Sequence, residues 1–250
     1  MARIRLTLCY DGTAYHGWQV QPNAVTVQQV LQDAIERITG VRSGVTGCSR
    51  TDAGVHARMF CCAFDTASPL RGDKLCNALN AVLPRDVAVY EAEEVDEAFH
   101  PRYDAKGKRY VYHLHNGRHR DPFAEGYAWH VRWPLDEQAL DRAAKDLIGT
   151  HDFAAFCAAG SSVEDTVRTV SHAAVTREGD RVTFSVEADG FLYNMVRIMV
   201  GTLHDMAAGK LPYDAIPAIL QSGDRAAAGV TAPPHGLCLE RVFYEERKGG

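Results

Sequence analysis

The sequence predicts an α+β fold built from two βαββαβ halves, and three features carry that prediction. Runs of period-two alternation, such as Ile4, Leu6, Leu8 and Tyr10, are followed by runs of helical spacing, such as Val27, Val30, Leu31, Ala34, Ile35 and Ile38. The same order recurs in the second half with longer connections. Gly179-Asp180 lies between two strand-like runs, 167–176 and 181–188, as a hairpin turn does, so the sheet is expected to be mainly antiparallel.

The first strand ends at the Asp11-Gly12 turn. Thr26 followed by Gln29 reads as a capping box, and the helix it opens runs to Gly40. Strands at 44–49 and 59–65 follow, then a helix near 72–83 with Leu75, Leu79 and Val82 on one face, then a strand over 86–94 begun by Val87 and Val89. In the second half, 109–115 reads as a strand, and Leu140, Ala143, Ala144 and Leu147 mark a helix. After the hairpin come a helix over 191–208, a shorter one near 213–221 and a closing strand over 237–244. Each half then has the ferredoxin-like order. Two such halves, 1–98 and 99–250, imply a pseudo-twofold arrangement with a cleft between them. The polar tail from Glu245 is expected to be frayed.

The 250 residues, 46% of them hydrophobic, suffice for one large or two modest cores. A net charge of −5 argues against a uniformly basic nucleic-acid binder, though a local patch can still serve. Seven cysteines without CxxC spacing suggest neither a disulfide framework nor a zinc site, and reduced buried thiols of a cytoplasmic protein are expected. The sequence contains neither a secretory leader pattern nor a membrane-spanning apolar run.

Charge is uneven along the chain. Residues 86–98 carry Asp86, Glu91, Glu93, Glu94, Asp96 and Glu97. Residues 100–120 carry Arg102, Lys106, Lys108, Arg109, Arg118 and Arg120 against Asp104 alone, a balance of +5. These are either two solvated faces or a stripe that tracks phosphates, with Tyr110, Tyr112, His113 and Tyr127 interleaved for base stacking. His113, His115 and His119 lack an acidic or cysteine partner at metal-ligand spacing and read as surface or RNA-facing histidines.

The densest chemistry lies in Gly47-Cys48-Ser49-Arg50-Thr51-Asp52-Ala53-Gly54-Val55-His56-Ala57. Gly54 permits a sharp turn, and Asp52 beside it is either a turn former bonded to its own backbone or a presented carboxylate. Arg50, two residues earlier, tilts the reading toward an ionised carboxylate held by a guanidinium, and His56 is expected to bond the turn. Arg197 lies in a mostly apolar helix and needs either solvent or a carboxylate partner.

The octapeptide from Arg50 to Ala57 resembles the signature of the tRNA pseudouridine synthase A family. Tyr10-Asp11-Gly12-Thr13 with Gly17-Trp18-Gln19 resembles the family's opening motif, and Thr26-Val27-Gln28 the start of its first helix. Lys108-Arg109-Tyr110, Met195-Val196-Arg197 and Gly236-Leu237 resemble later blocks, in order along nearly the whole chain. Two departures stand out: Ser49 where the family usually has glycine, and Ile198 where it commonly has asparagine.

The resemblance implies the pseudouridine synthase fold and an isomerase that converts uridine to pseudouridine at positions 38 to 40 of the tRNA anticodon stem-loop (the RNA's numbering). It implies Asp52 as the catalytic carboxylate, with Arg50 and Arg197 approaching it and Tyr110 stacking on the target uracil, while Tyr112 belongs to the core. Arg50, Arg58, Arg102, Lys108, Arg109 and Tyr110 are expected to bind substrate. The reaction consumes no water and has no redox step, so no cofactor or metal is expected. A cytoplasmic homodimer with tRNA as its partner is implied. The competing class is a non-catalytic tRNA-binding or chaperone protein, which would need the basic residues but not Asp52 with two arginines.

Overall fold

The computed structural model describes residues 1–160 and 163–244. The expected frayed tail from Glu245 lies outside the described residues. By their internal packing the residues form two compact units, Met1–Lys106 with the chain from Cys238 onward, and Gly107–Leu237. The sequence boundary at 98/99 therefore falls too early. The segment 99–104 is tied to the first unit. Arg3 Nε donates to the Phe99 carbonyl at 2.6 Å, and the Tyr244 hydroxyl donates to the Pro101 carbonyl at 2.6 Å.

The first unit begins β1 (Ala2–Tyr10), α1 (Val27–Thr39), β2 (Thr46–Gly47), β3 (His56–Thr66), α2 (Gly72–Asn80), β4 (Val87–Val95). β1 pairs antiparallel with β3 on one side and β4 on the other, and β2 pairs antiparallel with β3. That is the 4-1-3-2 order expected of a ferredoxin-like half. Ile4, Leu6, Leu8 and Tyr10 all point into the core, as their alternation requires, with Phe60 and Phe64. α1 adds Val27, Leu31, Ala34 and Ile35, and α2 adds Leu75, Cys76 and Leu79. The Thr26 hydroxyl caps α1 by accepting the Gln29 N–H at 3.3 Å, and Gly40 ends it in the left-handed region. The register of β1 on β3 slips between Leu8 and Tyr10, a bulge that leaves Arg58 and Met59 both exposed.

The acidic run is mostly consumed within this unit. Asp86 accepts the Tyr15 hydroxyl at 2.6 Å, Glu91 that of Thr7 at 3.1 Å, Glu93 pairs with Arg5, and Glu94 with Arg71 at 2.8 Å. Burial, then the Asp86 carboxylate, pushes the Tyr15 phenol upward.

The second unit contains β5 (Gly107–His115), β6 (Trp129–His130), α3 (Glu137–Lys145), β7 (Gly149–Asp152), β8 (Val167–Glu178), β9 (Arg181–Ala188), α4 (Met195–Ala207) and α5 (Ile216–Ser222). Its strands lie in the order β5-β9-β8-β7, all antiparallel, with β6 added in parallel beside the end of β5. Tyr112, Phe153, Phe156 and Phe184 are fully buried, and Asp136 caps α3. α4 starts at Met195, not at 191, because Asn194 takes a φ of 59° and breaks the helical path there. The two-residue β6 and the four-residue β7 are too short to show a period, and the sequence gives no sign of them.

The last strand, β10 (Leu237–Phe243), was expected to close the second half. It belongs by packing to the first unit, where Cys238 and Leu239 pair in parallel with His56 and Ala57. β2 holds the same edge of β3 further along, at Cys62 and Ala63. β2 spans two residues where the sequence predicted six.

Candidate active site

Residues 48–55 connect β2 to β3 and carry the arginine, threonine and aspartate singled out above. Their backbone is fastened to the segment after β1. The Trp18 N–H donates to the Thr51 carbonyl at 3.1 Å, and the Gly54 N–H to the Tyr15 carbonyl at 3.2 Å. The loop also closes on itself, the Val55 N–H donating to the Asp52 carbonyl at 3.1 Å. Two glycines allow this approach. A Cβ on Gly12 would lie 2.0 Å from the Val55 oxygen, and one on Gly17, whose φ is +83°, would lie 2.3 Å from the Thr51 oxygen.

Side chains finish the frame. The buried hydroxyls of Tyr10 and Thr51 are 2.8 Å apart, and the Gly12 N–H donates to His56 Nδ1 at 3.0 Å, so His56 bonds the Asp11-Gly12 turn that follows β1. Trp18 stacks on Phe60 with ring centres 4.1 Å apart, and Gly47 leaves space for the indole, since a Cβ there would lie 2.6 Å from Trp18 Nε1. Asp52 is thus half-buried on a loop whose two flanks are fixed by backbone bonds.

Arg50 departs from expectation. It is exposed and, among the described residues, forms no ion pair or hydrogen bond. Thr51 turns inward to Tyr10, which leaves its neighbour Arg50 on the solvent side as a cation open to a ligand instead of a clamp on Asp52. Arg58 is also exposed, 3.6 Å from the Glu240 carboxylate, and Arg102 lies over the Tyr103 ring at 5.8 Å.

In the second unit Arg197 projects from the first turn of α4. Its Nη1 donates to Asn194 Oδ1 and its Nε to the Ala232 carbonyl, both at 2.7 Å. Burial of the next residue, Ile198, makes that departure from the family pattern part of the core. Tyr110 is buried and meets Phe191 edge-on, ring centres 5.0 Å apart. Tyr112 is fully buried, its hydroxyl donating to the Pro233 carbonyl at 2.8 Å, and burial pushes that phenol upward.

Lys108 and Arg109, both expected to bind substrate, face opposite sides of β5. Consecutive strand residues face opposite sides, so Lys108 is buried on the side of Tyr110 and Tyr112, while Arg109 lies across from Glu187 and pairs with it. The histidines are occupied structurally. His113 Nδ1 is 3.1 Å from the Thr183 hydroxyl, and His115 Nε2 donates to the His119 carbonyl at 2.9 Å.

What supports Arg197 comes from distant chain and has no local sequence signature. The segment after α5 runs back along α4, where the Gly229 N–H donates to the Thr202 hydroxyl at 3.0 Å and the Val230 N–H to the Asp205 carboxylate at 3.1 Å. Asp205 also holds Lys210 at 3.0 Å and lies 3.2 Å from His204 Nδ1. Burial works against its charge, but Lys210, the Val230 N–H and His204 together hold its carboxyl below the ordinary range.

A model of the tRNA pseudouridine synthase family matches residues 8–104 and 143–245. The chain is 50% identical over 246 residues to tRNA pseudouridine synthase A of Moorella thermoacetica, covering 98% of this chain and all of the relative. Against the protein of that name from Thermoanaerobacter sp. (strain X514) identity is 48% over 244 residues, with the same coverage. Against that of Halalkalibacterium halodurans it is 49% over 242, covering 96% and 92%. A chain of a solved Cbf5-Nop10-Gar1 complex aligns at a TM-score of 0.39 and 15% identity over 96% of this chain and 59% of that one, too remote for any role to be read across. The chain belongs to the tRNA pseudouridine synthase family, isomerases that convert uridine to pseudouridine.

Proposed function

We propose that this enzyme acts on uridines 38 to 40 of the tRNA anticodon stem-loop, with Asp52 as its catalytic carboxylate and no metal or cofactor. The observation that carries the reading is the backbone frame of the 48–55 loop. A catalytic group needs fixed geometry, and bonds from Trp18 and to Tyr15 fix the residues on either side of Asp52 before any substrate arrives.

The reaction breaks the C1′–N1 glycosidic bond, rotates the uracil and joins C1′ to C5. The C5 hydrogen leaves as a proton, and N1 ends protonated. Glycoside hydrolysis commonly uses two carboxylates, one for the leaving group and one for water or attack. Here one suffices, because the departing base returns as the nucleophile. Tyr110 stacks on the uracil, and Arg197, held by Asn194 and Ala232, meets the flipped nucleotide or the carboxylate. Arg50, Arg58 and Arg102, all exposed, take backbone phosphates. Arg109, already paired with Glu187, and buried Lys108 contribute less to that surface than their sequence suggests. The working form is a cytoplasmic homodimer.

The test is tritium release from tRNA transcripts labelled at uracil C5, with wild type, Asp52→Ala, and wild type with a chelator. Release by wild type that the chelator leaves intact and Asp52→Ala abolishes is the expected result. Tight binding without release by wild type would favour a binding protein, and chelator-sensitive release would overturn the metal-free reading. Transcripts lacking uridines 38 to 40 should release nothing.

A further inference from the structure

Residues 116–128, between β5 and β6, form a projection that the proposed reaction does not use. Asn116 roots it. Its Nδ2 donates to the carbonyls of Val131 at 2.9 Å and Trp133 at 2.8 Å, its Oδ1 accepts from Arg177 at 2.9 Å, and its N–H donates to the Asp180 carbonyl at 2.7 Å. Two imidazoles brace the base, His115 Nε2 donating to the His119 carbonyl and His130 Nε2 to that of Gly117, each at 2.9 Å. At the tip, Asp121 Oδ1 accepts the Phe123 N–H at 2.9 Å, and the Asp121 carbonyl accepts those of Ala124 and Glu125 at 3.1 Å. This is a braced turn, not a slack connection.

What it presents is unusual. Phe123 is 94% exposed, and Arg118, His119 and Arg120 beside it are exposed too. Among the described residues, Arg118 and Arg120 form no ion pair or hydrogen bond. Burial does not explain a phenyl ring held in water by a hydrogen-bonded frame. An apolar protein partner would desolvate the two guanidiniums, which pair with neither Asp121 nor Glu125 of the same segment. An unpaired nucleotide suits both parts, its base stacking on the ring and its phosphates meeting the cations.

We infer that this projection is an RNA grip, in which Phe123 stacks on an unpaired base of the substrate tRNA and Arg118 and Arg120 neutralise adjacent phosphates. The inference rests on tRNA being the substrate, but not on the role of Asp52.

The experiment measures binding of an unmodified tRNA transcript to the full-length protein by filter retention over a salt series, with oligomeric state followed by light scattering. Phe123→Ala should weaken binding about tenfold with little change in salt slope, and Phe123→Trp should restore it. Arg118→Ala with Arg120→Ala should flatten the salt slope by roughly 1.5. Binding by Phe123→Ala within twofold of wild type would overturn the grip. So would a change of oligomeric state in that variant, which would place the ring between copies of the chain. Failure of wild type itself to bind tRNA would instead sink the substrate assignment.

Discussion

Arg197 and Ala232 hold each other twice. The arginine Nε donates to the Ala232 carbonyl at 2.7 Å, and the Ala232 N–H returns to the Arg197 carbonyl at 3.0 Å. With Asn194 holding Nη1, the guanidinium is oriented before substrate binds and loses less rotamer freedom on binding. Its orientation therefore depends on how closely 229–232 lies along α4. That approach is tight, since a Cβ on Gly201 would fall 1.6 Å from the Val230 oxygen.

Thr202→Val should loosen this contact without touching Arg197. It removes the acceptor for the buried Gly229 N–H, at a cost of about 1–3 kcal/mol. Urea unfolding should show that loss. If the segment orients Arg197, kcat for tritium release should fall more than KM rises, and Thr202→Ser should recover both.

Gly12→Ala probes the other frame. The added methyl meets the Val55 oxygen at 2.0 Å, so the two backbones must separate and carry the loop bearing Asp52 with them. A displacement near 1 Å corresponds to roughly a hundredfold loss of rate. Single-turnover tritium release at saturating enzyme should show it, while retention of tRNA on filters stays close to wild type.

Acid should weaken the second unit in two steps. Burial lowers the His204 pKa below its ordinary 6.5, with Asp205 opposing the shift only in part. The unfolded chain then binds a proton that the fold does not, so stability falls as pH drops below 6.5 toward the folded value. Asp205, whose folded pKa is depressed, contributes stability that is complete above its unfolded value and lost on further acidification. Thermal melts from pH 8 to pH 2 should show both declines. His204→Gln should remove the upper one.

Much of this was legible because its causes are local. The alternation of β1, the threonine cap and glycine stop of α1, and the turn between β8 and β9 each lie within a few residues. What escaped depends on distant chain. β10 comes to the edge of β3 from far along the chain, and Asn194 shortens α4 by a backbone conformation that composition does not specify. Around the site, the glycines at 12 and 17 were visible as a motif, but their closeness to Val55 and Thr51 was not. The opposed faces of Lys108 and Arg109 follow from strand pleating alone and could have been read from the start.

The pairing of Cys238 and Leu239 with His56 and Ala57 also sets an order of events during synthesis. The loop bearing Asp52 leaves the ribosome early, yet the strand that flanks its exit is translated about 180 residues later. At typical elongation rates of about 5–20 residues per second, β3 waits roughly 10–35 seconds for that neighbour. A nascent or prematurely terminated chain therefore displays an open strand edge beside its candidate catalytic loop. Only a chain translated through β10 covers it, so the ribosome finishes this enzyme's first unit last.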